Sequence, residues 1–412
     1  VSTTRTVEAV FRIESARIIA GVTRIVRDVG IAEELAQDAL VAALEQWPAQ
    51  GVPDKPGAWL MTTAKRRAID LVRRKETYAR KLAEVGRALE DVPPPDPADF
   101  DDPDGIDDDL LRLIFTACHP VLSTQARTAL TLRLLGGLTT QEIARAFLVP
   151  EATVAQRIVR AKRALAKAAV PFEVPYGADR EARLSSVLDV IYLIFNEGYS
   201  ATAGDDLVRP ALCEDALRLA RVLGALMPKE AEVHGLTALL EFQASRIPAR
   251  TGADGRPVLL ADQNRAKWNR LLIHRGIEAL QRAGGGPYAV QAAIAACHAH
   301  ALRYEDTDWA SIALLYARLM AMTPSPVIEL NRAVAVAMAE GPAAGLPLVD
   351  ALRHESALKD YHLLPSVRGD LLERLGRPAE ARAEFERAAS LTRNTQEREL
   401  LLDRAARLAG EG

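Results

Sequence analysis

The segment LTTQEIARAFLVPEATVAQRIVRAKRALAK, residues 138–167, decides how this chain is read. Thr139-Thr140-Gln141-Glu142 has the form of a capping box, in which the threonine hydroxyl caps an amide three residues on and the glutamate reaches back. Ile143, Ala144 and Phe147 give the helix that follows a buried face. The turn Leu148-Val149-Pro150 then leads into a second helix, with Pro150 close to the first turn, where proline is tolerated. In this second helix Val154, Ile158, Ala161 and Leu165 form an apolar stripe, and Thr153, Gln156, Arg157, Arg160 and Arg163 lie around the other side. A short turn between two helices, the second basic on one side, describes a helix-turn-helix whose second helix suits the DNA major groove. Arginine and glutamine side chains can make paired hydrogen bonds to guanine and adenine edges, while Lys162 and Lys167 are placed to meet phosphates.

Working outward, charge is partitioned rather than absent. The 412 residues carry 52 Lys+Arg and 55 Asp+Glu, a net charge of −3. Residues 1–90 hold 15 bases and 12 acids, 91–110 hold nine Asp and no base, and 111–170 hold nine bases and two acids. The remainder, 171–412, is near neutral with 28 bases and 32 acids. Two basic segments around an acidic one point to polyanion binding by the basic pieces. The stretch Asp91–Asp109, with nine Asp and five Pro, cannot bury a core and reads as an extended linker.

Upstream, Val7, Phe11, Ile18, Val22 and Ile25 recur at helical spacing, as do Ala36, Leu40, Ala43 and Trp47. Gly30 and Pro48 stand where those two helices should stop. Lys65 to Lys75 is dense in base, and Trp59 just before it is a candidate stacking or wedge group.

The order Glu34-Leu35-Ala36-Gln37-Asp38-Ala39-Leu40, then Trp59-Leu60, Ala64, Asp70 and Arg73-Arg74, then an acidic linker and a helix-turn-helix, resembles a bacterial sigma factor. It is similar to the extracytoplasmic-function group, which keeps only conserved regions 2 and 4, and the resemblance covers residues 5–170. Where that family often shows Arg-Asn, this chain has Lys65-Arg66. The resemblance implies an all-α protein that directs core RNA polymerase to promoters and is not an enzyme. It implies region 2 over 1–90, the linker over 91–110 and region 4 over 111–170. Leu35, Gln37, Asp38 and Leu40 would dock on the β′ clamp helices, and region 4 would meet the β flap. Trp59, Lys65, Arg66, Arg67, Asp70, Arg73, Arg74 and Lys75 would bind the −10 element and hold the opened strand. Thr139, Glu151, Thr153, Gln156, Arg157, Arg160, Lys162 and Arg163 would serve the −35 element.

A second boundary falls near Pro171–Gly177, and 178–412 reads as a TPR-like α-solenoid. The triplet Ala-x3-Leu/Phe-x2-Ala recurs as Ala310/Leu314/Ala317, Ala344/Leu348/Ala351 and Ala381/Phe385/Ala388. In the last unit Gly369, Leu372 and Gly376 also fit the tetratricopeptide pattern, with small residues allowing close helix approach. Ile247–Leu260 reads as a long loop within the array. This half is expected to pack on the sigma modules or bind a regulatory protein and so control them, and removal of residues after about 175 is expected to change transcription.

Other classes fare worse. Cys297 and His300 share a helical face, but no further ligand cluster accompanies them, so neither a metal nor a cofactor is expected. Asn196-Glu197-Gly198-Tyr199 contains an acid with no assignable partner, and there is no phosphate-binding loop or nucleophile elbow. The rival reading is a one-component activator whose TPR-like half senses a signal. Three dispersed cysteines, no apolar run of spanning length and a charged N-terminus point to the bacterial cytoplasm.

Overall fold

The computed structural model describes residues 3–84, 105–147, 149–200, 203–204, 208–252 and 256–409. They form an all-α protein, helical apart from one pair of two-residue strands, that divides into two compact units, Val1–Val190 and Ile191–Gly412. No helix among them is long and apolar enough to cross a membrane.

The first unit opens with α1 (Thr3–Val26), α2 (Val29–Gln50) and α3 (Pro56–Glu84), each packed on the other two. Ile18, Ile19, Val22, Ala36, Ala39, Ala43, Trp47, Leu60 and Ala64 are buried, with alanines letting the backbones approach. Two boundaries differ from the expectation. Arg27, in a left-handed conformation (φ 54°), ends α1, and the Asp28 carboxylate accepts from the amides of Gly30 (2.7 Å) and Ile31 (3.0 Å) to start α2. Gly30 therefore lies inside the first turn of α2 rather than at a stop. Pro48 also lies within α2. It falls in the last turn, so the helix still closes when Gly51 (φ 86°) donates its amide to the Trp47 carbonyl at 2.9 Å.

A second module follows: α4 (Gly105–Ala117), α5 (Thr124–Leu134), α6 (Thr140–Phe147) and α7 (Glu151–Lys167). The acidic linker expected over 91–110 lies outside the described residues up to 104; from Gly105 the chain is helix, not tether. The reason is Asp109, which is buried and pairs with Arg24 (3.4 Å) and Arg112 (2.7 Å) instead of facing water.

Next comes α8 (Gly177–Tyr199), whose first half belongs to the first unit and whose second half to the other. Ser186 donates to the Cys118 carbonyl (2.8 Å), and the Arg183 guanidinium lies 5.8 Å from the Phe115 ring centre. The two units divide within α8, at Val190. A cut near 175 would strip a packed element from the second module.

The second unit continues with β1 (Ala203–Gly204), α9 (Pro210–Leu226), α10 (Ala231–Ser245), α11 (Arg270–Arg282), α12 (Pro287–His300), α13 (Trp309–Met322), α14 (Pro326–Glu340), α15 (Pro342–Ala351), α16 (Leu363–Arg374), α17 (Pro378–Leu391), β2 (Arg393–Asn394) and α18 (Thr395–Ala409). Helices α9, α12, α14, α15 and α17 each begin on proline, whose missing N–H is not needed there. Packing is mainly between neighbours in sequence, the pattern of a helical repeat array. The two-residue strands β1 and β2 pair in parallel, so the start of this unit meets its end.

The repeat register differs from the triplets in the sequence. Ala381, Phe385 and Ala388 are fully buried, as expected. Leu314, however, is 73% exposed, and the buried residues of α13 are Ile312 and Leu319. In α15 the buried residues are Gly345, Leu346 and Val349, one position off the expected triplet. Alanine is at home on both faces of a helix, so its spacing set the period without setting the face. Gly369 shows the seam's tolerance: a Cβ there would sit 2.8 Å from the Phe385 ring. Of the expected loop Ile247–Leu260, residues 253–255 lie outside the described residues; the rest opens with the short helical turn Ile247–Ala249 and carries a bridge between Thr251 and Pro257.

Candidate nucleic-acid interface

Two exposed basic faces lie in the first unit. On α3, Arg66, Asp70, Arg73, Arg74 and Lys75 are exposed, while Ala64, Ala68 and Leu60 face the core. Positions 66, 70, 73 and 74 share one side of the helix, so the charge is concentrated there. The other expected residues of this element are more enclosed. Arg67 is half-buried and pairs with Asp38 across to α2 at 3.5 Å. Lys65 is half-buried, within electrostatic reach of Asp109. Burial pushes the Asp109 carboxyl above the ordinary range, and Arg24, Arg112 and Lys65 pull it back only in part. Trp59 packs edge-on against the buried Trp47, with ring centres 5.5 Å apart and planes at 71°. Trp59 is thus part of the α2–α3 seam as well as half-exposed.

The helix-turn-helix is built as its residues specify. The Glu142 amide donates to the Thr139 hydroxyl at 3.1 Å, and the Thr139 amide donates to the Glu142 carboxylate at 2.7 Å. Pro150 stands immediately before α7 with φ −57°. Val154, Ile158, Ala161 and Leu165 are buried. Glu151, Gln156, Arg160 and Arg163 are exposed, with Gln156, Arg160 and Arg163 on one side at helical spacing. Thr153 and Arg157 are half-buried at the edge of that face.

Lys162 does not join it. Its ammonium lies 2.5 Å from the carboxylate of Glu33, which also receives the Arg133 guanidinium at 2.6 Å and the Gln37 amide at 3.1 Å. Glu33 is buried on α2, so this cluster ties the first module to α5 and α7 of the second. Nothing local marks it, since Arg133 is 100 residues away along the chain. An acid among the alanines of an otherwise apolar helix face was the one available signal. A buried carboxylate holding two bases is expensive to disturb. Glu33→Gln is expected to cost roughly 2 kcal/mol, read as an earlier first transition in thermal unfolding of the full chain.

Of the α2 residues expected to meet polymerase, Asp38 is exposed, and Leu35, Gln37 and Leu40 are half-buried. They lie on the α2 surface with Asp38 held by Arg67 and Gln37 by Glu33.

The family model described as Sigma-70 region 2 matches residues 11–78, that described as Sigma-70, region 4 matches 112–165, and a family of unknown function, DUF6596, matches 183–284. The chain is 44% identical over 394 residues to the uncharacterized protein R00370 of Rhizobium meliloti (strain 1021), covering 94% of this chain and 92% of that protein. It is 33% identical over 147 residues to the ECF RNA polymerase sigma factor SigK of Mycobacterium sp. (strain KMS), covering 35% of this chain and 72% of that protein. Against the same-named factor of Mycobacterium tuberculosis (strain ATCC 25177 / H37Ra) identity is 31%, over 36% of this chain and 78% of that one. Among solved structures, yeast Tom70 aligns over 99% of this chain and 85% of its own, at TM-score 0.38 and 10% identity.

Proposed function

Since this chain belongs to the extracytoplasmic-function group of the sigma-70 family, a non-enzymatic family whose regions bind core RNA polymerase and promoter DNA, we propose how its residues divide that work. The observation that carries the division is the pair of exposed basic faces on α3 and α7, one in each matched region. In this reading Arg66, Arg73, Arg74 and Lys75 track the −10 DNA, and Asp70 sits among them as an acceptor for an exocyclic base amine. Trp59, anchored on Trp47, offers a rigid edge to an unstacked base. Gln156, Arg160 and Arg163 read the −35 major groove, and Arg157, Thr153 and Glu151 flank them. Thr139, whose hydroxyl oxygen is engaged in the cap, presents its end of α6 to the phosphate backbone. Leu35, Gln37, Asp38 and Leu40 supply the mixed apolar and polar surface for the β′ clamp helices, and the second module meets the β flap.

Lys162 reaches phosphate in this reading only after leaving Glu33, so DNA engagement and separation of the two modules are linked. No bond is made or broken. Polymerase brings two DNA-reading faces to a fixed separation, and trapping unstacked bases favours opening, at a cost of about a few kcal/mol per step.

The C-terminal unit, we further propose, governs this activity. Its support is that α8 is one continuous helix that runs from the first unit into the second. The test is run-off transcription from the protein's own target promoters with purified sigma-free core polymerase. Full chain plus core is expected to initiate where core alone does not, and a chain ending at Val190 is expected to initiate at a different level. Failure of both forms to initiate on core alone would favour a one-component activator. Equal activity of the two forms at several promoters would remove the regulatory role.

A further inference from the structure

Around the turn that follows α10, the second unit gathers cationic and donor groups, several of them without a hydrogen-bond partner among the described residues. Arg246 and Arg250 flank the short helical turn Ile247–Ala249. The Arg250 guanidinium carbon lies 3.7 Å from the centre of the Tyr199 ring, and that of Arg246 lies 5.2 Å from the centre of the Trp268 ring. Trp268 is 3% exposed, and its indole Nε1 has no hydrogen-bond partner among the described residues. The same is true of the buried Tyr199 hydroxyl and of Arg246 Nε. Both arginines keep partial exposure, so solvent reaches the group.

Neighbouring charges do not quench it. Arg265 also lies over the Trp268 ring, 4.9 Å from its centre, but its two terminal nitrogens are taken up: they donate to the carbonyls of His298 (2.5 Å) and Ala301 (2.8 Å) and to the Thr307 hydroxyl (3.1 Å). The carboxylate that Arg250 influences, Glu397, is held by His362 at 3.2 Å and by the Thr392 hydroxyl at 2.9 Å. His298 adds no charge, because burial, with Arg246 and Arg265 nearby, lowers it to about 3. Burial likewise lowers Arg246 below the usual guanidinium range, and the charge of Arg250 adds to that. A guanidinium in such a place is costly unless an anion joins it.

The positions are built rather than incidental. Tyr199 ends α8 directly after Gly198, where a Cβ would lie 2.8 Å from the Cys213 amide nitrogen, so α8 and α9 meet too closely for any larger residue. Glu197 is paired with Arg209, which leaves Tyr199 as the polar group of Asn196-Glu197-Gly198-Tyr199 that faces the arginines. The motif and the irregular loop after α10, both without a role in promoter recognition, thereby converge on one place.

We propose that Arg246, Arg250, Tyr199 and Trp268 form a binding site for a small molecule bearing a phosphate group. Every unpaired atom in the set can donate, and two guanidiniums supply a local charge of about +2, which suits a dianion with several acceptor oxygens better than a single carboxylate. The proposal is independent of how α3 and α7 meet DNA.

The test is calorimetric titration of the full chain with inorganic phosphate, in chloride buffer at fixed ionic strength, with succinate as the carboxylate comparison. Saturable binding at one site and a higher Tm at saturating phosphate are expected. Arg246→Gln and Arg250→Gln are each expected to weaken binding roughly tenfold to hundredfold, with Arg246→Lys in between because it keeps the charge and loses the fork. Arg303→Gln, on an exposed side chain, should leave it unchanged. Helical circular dichroism of each variant separates lost binding from lost folding. Three results would overturn the proposal: no phosphate binding above the chloride blank, binding unaltered in both folded glutamine variants, or tighter binding of succinate than of phosphate.

Discussion

Replacing Arg160 and Arg163 together with alanine is expected to lower the affinity of the polymerase-bound protein for its promoter by about a hundredfold or more. Each guanidinium that makes paired hydrogen bonds to a guanine edge contributes about 1–3 kcal/mol of discrimination. The two side chains lie on the same exposed side of α7 and touch none of its buried stripe of Val154, Ile158, Ala161 and Leu165. Alanine is also the better helix former, so the fold of α7 should survive. Fluorescence anisotropy with a labelled promoter duplex measures the effect, and competition with unrelated DNA gives its sequence dependence. Lys162→Ala should behave differently: a smaller loss, similar for all sequences, and a shallower dependence on salt. A double arginine variant within threefold of the parent would show that α7 does not read bases.

The largest effect on stability is expected in the last repeat. Phe385 is fully buried between α16 and α17, against Leu372 and the bare backbone at Gly369. The Arg404 guanidinium lies 4.2 Å from the centre of its ring, steadied by Asp370 at 2.8 Å and Glu373 at 2.5 Å. Phe385→Ala removes the ring and leaves a cavity that three converging helices cannot close, at a cost of about 4 kcal/mol. The arginine loses its cation–π partner as well. Because a repeat array is held by nearest-neighbour interfaces, the damage should be local. Hydrogen exchange on the full chain should show protection lost across α16–α18 and kept in α1–α3. Leu402→Ala, at an exposed position (47%), should change exchange little, and equal loss in both variants would contradict this account of the seam.

Legibility followed the range of the interaction. The capping box at Thr139 and Glu142 and the stripe from Val154 to Leu165 were readable because each joins residues three or four apart on one helix. The repeat array was readable as a period, but the buried faces of α13 and α15 were not, since alanine marks no face. Asp109 read as one more linker acid, yet Arg24 and Arg112 draw it into the protein. Gly30 and Pro48 read as helix stops, and the cap of Asp28 and the last turn closed by Gly51 overruled both. Among the candidate DNA residues, Arg66, Arg73, Arg74, Lys75, Gln156, Arg160 and Arg163 are exposed, whereas Arg67 and Lys162 are taken up by Asp38 and Glu33.

By itself, the sequence determined the helical class, the order of the modules and the side of α7 that carries its bases, because periodicity and capping act within one or two turns of a helix. Only the tertiary structure decided which charges stay exposed. Glu33 selects Lys162 and Arg133 from distant segments. The arginines after α10 collect around Tyr199 and Trp268, with no ion pair to an acid among the described residues. The physical reason is that burial and ion pairing depend on which segments meet in space, and no local pattern of residues encodes that meeting.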